Sequence, residues 1–188
     1  GNSTPQLTAL PLHIQLSSQG ATTTSAAGDI TLNLTPPLSA QLRNVTLDIR
    51  QQQLSPAANI RLDNVKLHSQ FNAYWLADSW QIDVQNAQAE ITELNISDLS
   101  GKNAVLVLTN SRISGDKSFN NLQLSAQPQL SLRELTHTEL KPLSWQWQGK
   151  LNGSLAQFNA QGRLSNSANL VLTHQLSFQK TDQQTQNL

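Results

Sequence analysis

Leu38-Ser-Ala-Gln-Leu-Arg-Asn-Val-Thr-Leu-Asp-Ile49 is followed, at a shift of 20 residues, by Ala58-Asn-Ile-Arg-Leu-Asp-Asn-Val-Lys-Leu-His-Ser69. In the first copy Leu38, Ala40 and Leu42 alternate with polar residues, Arg43-Asn44 break the phase, and Val45 and Leu47 resume it. In the second copy Ala58, Ile60 and Leu62 alternate, Asp63-Asn64 break the phase, and Val65 and Leu67 resume it. A period of two puts apolar side chains on one face of a strand and polar ones on the other. Two polar residues at a phase switch point to a β-bulge, because one extra residue restores the apolar face after the register changes. The alternative is a tight hairpin at each Asn. Two-residue turns, however, favour Asn-Gly or Asp-Gly, and Val after Asn tolerates positive φ poorly. Repeats this short imply a meander whose strands bury an apolar face only when stacked together.

The same period runs outward from this pair. It recurs at Leu10, Leu12, Ile14 and Leu16, and at Ile30, Leu32 and Leu34. It returns at Leu122, Leu124 and Ala126, at Leu130 and Leu132, at Leu143, Trp145 and Trp147, and at Leu170 and Leu172. Leu is not a leading strand former, so the period and not propensity makes the assignment. Pro36-Pro37, Ser55-Pro56, Ser114-Gly115-Asp116-Lys117 and Asn152-Gly153 read as turns between strands. Gly20 to Gly28 reads as a mobile loop, and Phe71 to Ala77 as a short helical turn or a plain turn before Asp78-Ser79. The expected fold class is all-β, a curved antiparallel sheet or meander with little helix.

The chain has 188 residues and a formal net charge of zero. At 13%, charged residues are at about half their usual share of ~25%. Asn, Gln, Ser and Thr make up 75 of the 188 residues, and Leu contributes another 31. A nucleic-acid binder that relies on phosphate contacts needs a basic excess, which this chain lacks. No apolar run approaches the ~18 residues of a membrane span. The length suggests residues 7–180 as one β domain or one segment of a longer array. Residues 1–6, including Gly1-Asn2-Ser3, read as a cloning remnant or flexible start, and 181–188 as a polar tail or linker. The missing start Met reads as a processed or cloned fragment.

Candidate chemistry is sparse. There is no Cys, no Gly-x-Ser-x-Gly elbow and no glycine-rich phosphate loop. His13, His68, His137 and His174 are scattered in strand-like segments, where a histidine on a polar face is simply solvated. His137-Thr138-Glu139 places two metal-ligand types on one strand face, but with no partner nearby. The expectation is no enzyme, no cofactor and no metal. The four Trp residues read first as sheet filling, second as part of an apolar groove, and third as a platform for sugar rings.

Leu143-Ser-Trp-Gln-Trp-Gln-Gly-Lys-Leu-Asn-Gly-Ser-Leu155, Gln161-Gly-Arg-Leu-Ser165, Leu170-Val-Leu172 and the Leu-x-Asn-Val-x-Leu repeats at Leu42–Leu47 and Leu62–Leu67 carry a resemblance. Together they resemble the AsmA-like envelope proteins of Gram-negative bacteria, most closely the YdbH family. The resemblance implies a periplasmic fragment of a protein anchored in the inner membrane. It implies a sheet rolled into an open, apolar-lined trough, described as β-taco-like. It further implies a bridge that carries phospholipid between membranes, with neighbouring β segments of the same protein adding edge to edge. A small outer-membrane lipoprotein is implied as a partner joining by strand addition, and nucleic acid is not. On this reading the groove is lined by Leu42, Val45, Leu47, Ile60, Leu62, Val65, Leu67, Trp145, Trp147, Leu170 and Leu172. Each buried CH₂ of an acyl chain in such a groove is worth roughly 0.8 kcal/mol. The alternatives are a carbohydrate-binding or adhesin module, and a structural spacer whose apolar faces seal against each other.

Overall fold

In a computed structural model that describes residues 9–180, all the regular structure is β, and no helix is present among those residues. The readings made for residues 1–8 and 181–188 lie outside the described residues. Ten strands follow in chain order: β1 (Ala9–Ser18), β2 (Thr22–Asn33), β3 (Ser39–Ala57), β4 (Ile60–Trp75), β5 (Ser79–Ile96), β6 (Leu99–Asp116), β7 (Gln123–His137), β8 (Leu143–Ser154), β9 (Gln157–Asn166) and β10 (Val171–Gln179). Every pairing is antiparallel and joins sequence neighbours, giving a single sheet in the order β1 to β10. β1 and β10 remain edges, so the sheet is an open meander and not a barrel. This is the all-β antiparallel class that the period-two pattern predicts.

The central strands are long. β3 has 19 residues, and β5 and β6 have 18 each, about three times the usual strand. A regular ladder of that length accumulates twist with every residue, and these strands break it with bulges. At Asn44 the pairing passes from Leu42↔Ala73 to Val45↔Phe71, so β3 carries one extra residue. Gln85 is the extra residue in β5, between Val84↔Phe71 and Asn86↔Gln70. β6 carries extra residues between Lys102 and Val105 and between Thr109 and Arg112, and β7 carries one between Leu132 and Leu135. The residues in left-handed backbone at these places are Asn44, Asn103, Asn110 and Glu134. Asn populates that region readily because its short polar side chain bonds locally.

Asn64 is a variation on this. Its φ is 51°, yet Asp63 and Lys66 keep one register against β5, so the ladder skips Asn64 without gaining a residue. Asn44 is therefore the bulge expected from its sequence, and Asn64 is a kink in register. Neither is a hairpin.

The irregularities fall in two rows across the sheet. Asn44, Gln85 and Asn110 line up through Phe71, Val84 and Ser111. Asn64, Asn103 and Glu134 line up through the cross-strand series Asp63, Glu93, Lys102 and Arg133. Along β6 the rows are seven residues apart, about 23 Å. Bulges bend a strand and tighten its twist, so each row acts as a bend line across the sheet.

Several expected turns lie inside strands. Ser55-Pro56 belong to β3, Asn152-Gly153 to β8, and Ser114–Asp116 to the end of β6. The stretch 20–28 is mostly β2 rather than a loop, because Thr22 to Ala27 pair residue by residue with Gln51 to Thr46 of β3. Phe71–Trp75 completes β4 without a helical turn. Gly28 has a packing role. A Cβ there would come within 2.9 Å of Val45 Cγ2, so only Gly lets β2 cross the bulge in β3.

The left-handed cost gives a direct test at Asn103, an exposed bulge residue. Asn103→Val is expected to lower stability by about 1–2 kcal/mol, and Asn103→Gly to stay within about 0.5 kcal/mol of the parent, as read from urea midpoints. Equal midpoints for the two variants would show that the bulge places no demand on backbone conformation.

Candidate functional site

Cross-strand register sorts every strand side chain onto one of two faces. On one face Leu12 opposes Ile30, Ile30 opposes Leu42, and Leu42 opposes Ala73. Ala73 opposes Ile82, Ile82 opposes Ile113, and Ile113 opposes Leu124. Farther along the strands Leu106 opposes Leu130, Leu130 opposes Trp147, Trp147 opposes Leu164, and Leu164 opposes Leu172. The apolar face therefore runs unbroken from β1 to β10. The opposite face carries the strand Asp, Glu, Lys and Arg residues, with Glu134 standing at its bulge. Some of them pair across strands, as in Asp48 with His68 (2.7 Å), Asp29 with His13 (2.8 Å), Asp83 with Arg112 (2.6 Å) and Glu134 with Lys102 (3.1 Å). The bond to the His13 ring holds the exposed Asp29 carboxyl below its usual range, and Asp83 holds the Arg112 guanidinium above its own.

Among the described residues no second layer covers the apolar face. Each strand touches only its sequence neighbours, and no large side chain is fully buried. The buried apolar residues are small: Val45, Ala104 and Ala126, each shielded by larger side chains around it on the same face. The large ones stay open, with Leu106 at 37%, Leu130 at 42% and Leu176 at 65% of full exposure. The chain exposes 13602 Å², against about 8,900 Å² for a compact globule of its mass.

The structure brings together most of the residues singled out in the sequence. Leu42, Val45 and Leu47 on β3 and Ile60, Leu62, Val65 and Leu67 on β4 share the apolar face as one cluster. Trp145 and Trp147 on β8 and Leu172 on β10 form a second cluster, and β5–β7 separate the two. Leu170 departs from expectation. It lies in the β9–β10 turn, where Asn166 Oδ1 accepts its backbone N–H. The sequence reading passed over Ile91, Leu94, Ala104, Leu106 and Leu108, which join the clusters. Val105 and Val107 sit on the polar face, so Ala104–Leu108 is apolar throughout and shows no alternation.

Trp147 has a built seat. It lies over the facing pair Gly149 and Gly162, where added Cβ atoms would each meet the indole at 2.7 Å. Its Nε1–H donates to His174 Nε2 at 2.7 Å, with the two rings nearly parallel. Because indole N–H only donates, His174 Nε2 must be the unprotonated nitrogen. Its Nδ1, buried and without a partner, carries the proton. His174 thus lies on the apolar face, not on the solvated face assumed for the histidines, and it orients an aromatic side chain. His137 ends β7 and Glu139 lies in the following turn, so the two do not share a strand face. Among the described residues no group of three or more His, Asp or Glu could hold a metal ion.

The glycine seat predicts a local and measurable failure. Gly162→Ala is expected to lift Trp147 from its place, shift its fluorescence and cost about 1–3 kcal/mol of stability. Unchanged emission and an unchanged urea midpoint would mean that the seat is not tight. Comparison with protein-family models, with curated proteins and with solved structures finds no match to this chain.

Proposed function

We propose that this chain is a periplasmic segment of an AsmA-like intermembrane bridge of the YdbH type, conducting phospholipid along its apolar face. The observation that carries the reading is that face itself, continuous over ten strands, free of strand Asp, Glu, Lys and Arg, and among the described residues without a covering layer. An acyl chain laid on it meets Leu, Ile, Val and Trp at every strand. The polar face, which carries the strand charges, can remain in water. On this reading the sheet lines a trough, further β segments of the same protein add at the free edges of β1 and β10, and an outer-membrane lipoprotein joins by strand addition. The full protein is anchored in the inner membrane, and the segment does no covalent chemistry.

The exposure of Leu106, Leu130 and Leu176 favours this reading over a sealed spacer, whose facing sheets would bury them. The setting of the tryptophans favours it over a sugar platform. Trp145 opposes Leu132, and Trp147 opposes Leu130 and Leu164, with no ring of polar partners to orient a sugar. Photo-crosslinking side chains at Leu47, Leu67 and Leu130 are expected to capture phospholipid in cells, while the same group at Thr46 or Gln129 on the polar face captures none. Equal capture on both faces, or none on the apolar face, removes the lipid reading.

A further inference from the structure

The polar face is not uniform. From Leu140 to Lys180 the sequence contains Lys141, Lys150, Arg163 and Lys180 and no Asp or Glu, although the whole chain is neutral. None of these four cations has an ion-pair partner among the described residues; Arg43, Arg50, Lys66 and Arg133 also lack one, but their strands carry Asp48, Asp63 or Glu134 as well, whereas β8–β10 carry no carboxylate. Two of them sit in a recess. On the polar side of β7–β10 the register sets Gln129, Gln148, Arg163 and Thr173 side by side in one row. The next row places Gln127 beside Lys150, followed by Gln161 and Gln175. These eight side chains line a recess of about 530 Å³. A second recess of about 420 Å³ adjoins it, sharing Gln129, Gln148 and Arg163 and extending to Gln146, Ser131 and Ser165, with the apolar Val105 and Val107 closing its β6 end.

The chemistry of this lining is specific. Glutamine amides and Ser or Thr hydroxyls both donate and accept, which matches the hydroxyls of a sugar. Lys150 and Arg163 stand at diagonal positions in the centre of the grid, and the Arg fork matches a carboxylate or phosphate bidentately. Among the described residues no carboxylate lines either recess to compete for them. A nucleic acid would need many more cations and stacking aromatics, and here the indole of Trp147 lies on the opposite face. The two recesses together span β6 to β10, about 20 Å across the strands. That length suits an oligosaccharide better than a single small anion.

We infer that the polar face of β6–β10 is a binding site for an anionic glycan, with Lys150 and Arg163 holding its acidic groups and the glutamine rows holding its hydroxyls. The site is on the face opposite the proposed lipid path, so it stands or falls independently of that path.

Trigalacturonate, its fully methyl-esterified form and inorganic phosphate serve as probes, titrated into the ¹⁵N-labelled chain at low salt. Trigalacturonate is expected to shift the side-chain amides of Gln148 and Gln161. The methyl ester and the variant pair Lys150→Gln/Arg163→Gln are each expected to bind at least about tenfold more weakly, as loss of charge-assisted bonds requires. Arg50→Gln/Lys66→Gln, on the polar face of β3 and β4, is expected to leave binding unchanged. Far-UV circular dichroism establishes that each variant is folded. Binding as tight for phosphate as for the trisaccharide would overturn the glycan assignment. Retention of binding by Lys150→Gln/Arg163→Gln, or the absence of any shift, would overturn the site.

Discussion

Parity is the constraint on which the rest of this structure depends. A strand of 18 residues keeps its apolar side chains on one face only if the alternation never slips, or if each slip is matched by a residue that does not count. β4 changes parity once, between Leu62 and Val65, and β3 changes between Leu42 and Val45 and again between Gln51 and Leu54. β6 changes twice, between Gly101 and Ala104 and between Leu108 and Ser111. Asn44, Asn64, Asn103 and Asn110, all in left-handed backbone, absorb four of these slips, and Gln85 and Glu134 take the extra position in β5 and β7. Without those residues half of each long strand would turn its leucines toward the charged face. The same residues form the two bend lines, so amphipathicity and curvature share one cause.

A sheet built this way holds together differently from a globule with a closed interior. Its backbone groups are satisfied by neighbouring strands, and its side chains are shielded by the side chains beside them. Val45, Ala104 and Ala126 are buried although no second layer covers them among the described residues, and larger side chains stand directly opposite them, Phe71, Ile91 and Leu151. The polar face contributes cross-strand pairs such as Asp48 with His68 and Asp83 with Arg112, which are partly exposed and individually weak. Stability is spread along the ladder, and the apolar face is left available. The uncharged edge strand β10, with Leu172, Leu176 and Phe178 exposed on one side, is the kind of edge that accepts another strand.

How much of this was legible in the sequence depends on whether alternation was visible. It was clear at Val45–Ile49 and Leu143–Trp147, and both segments lie in strands with their apolar residues on the shared face. The phase break at Arg43-Asn44 also read correctly, since a polar pair between two alternating runs has few structural solutions. Alternation was hidden at Ala104–Leu108, where two valines on the polar face fill the gaps. It was hidden again at Thr22–Gly28, where small residues masked β2. Turn chemistry misled at Asn152-Gly153, because Gly153 serves a close approach to β9 inside a strand rather than a reversal of the chain. The seat of Trp147 was beyond reach because Gly149, Gly162 and His174 come together only through the register of three strands.

The absence of Cys gives a clean background for a direct test of the two-faced, uncovered sheet. Single cysteines at Leu47, Leu67, Leu106 and Leu130, and at Thr46, His68, Val107 and Gln129 on the opposite face, can each carry a polarity-sensitive fluorophore. The emission of each would be recorded before and after addition of short-chain phospholipid. A shift to shorter wavelength at all four apolar-face sites and at none of the others is the predicted result. No shift at the apolar-face sites, or equal shifts on both faces, would contradict the account.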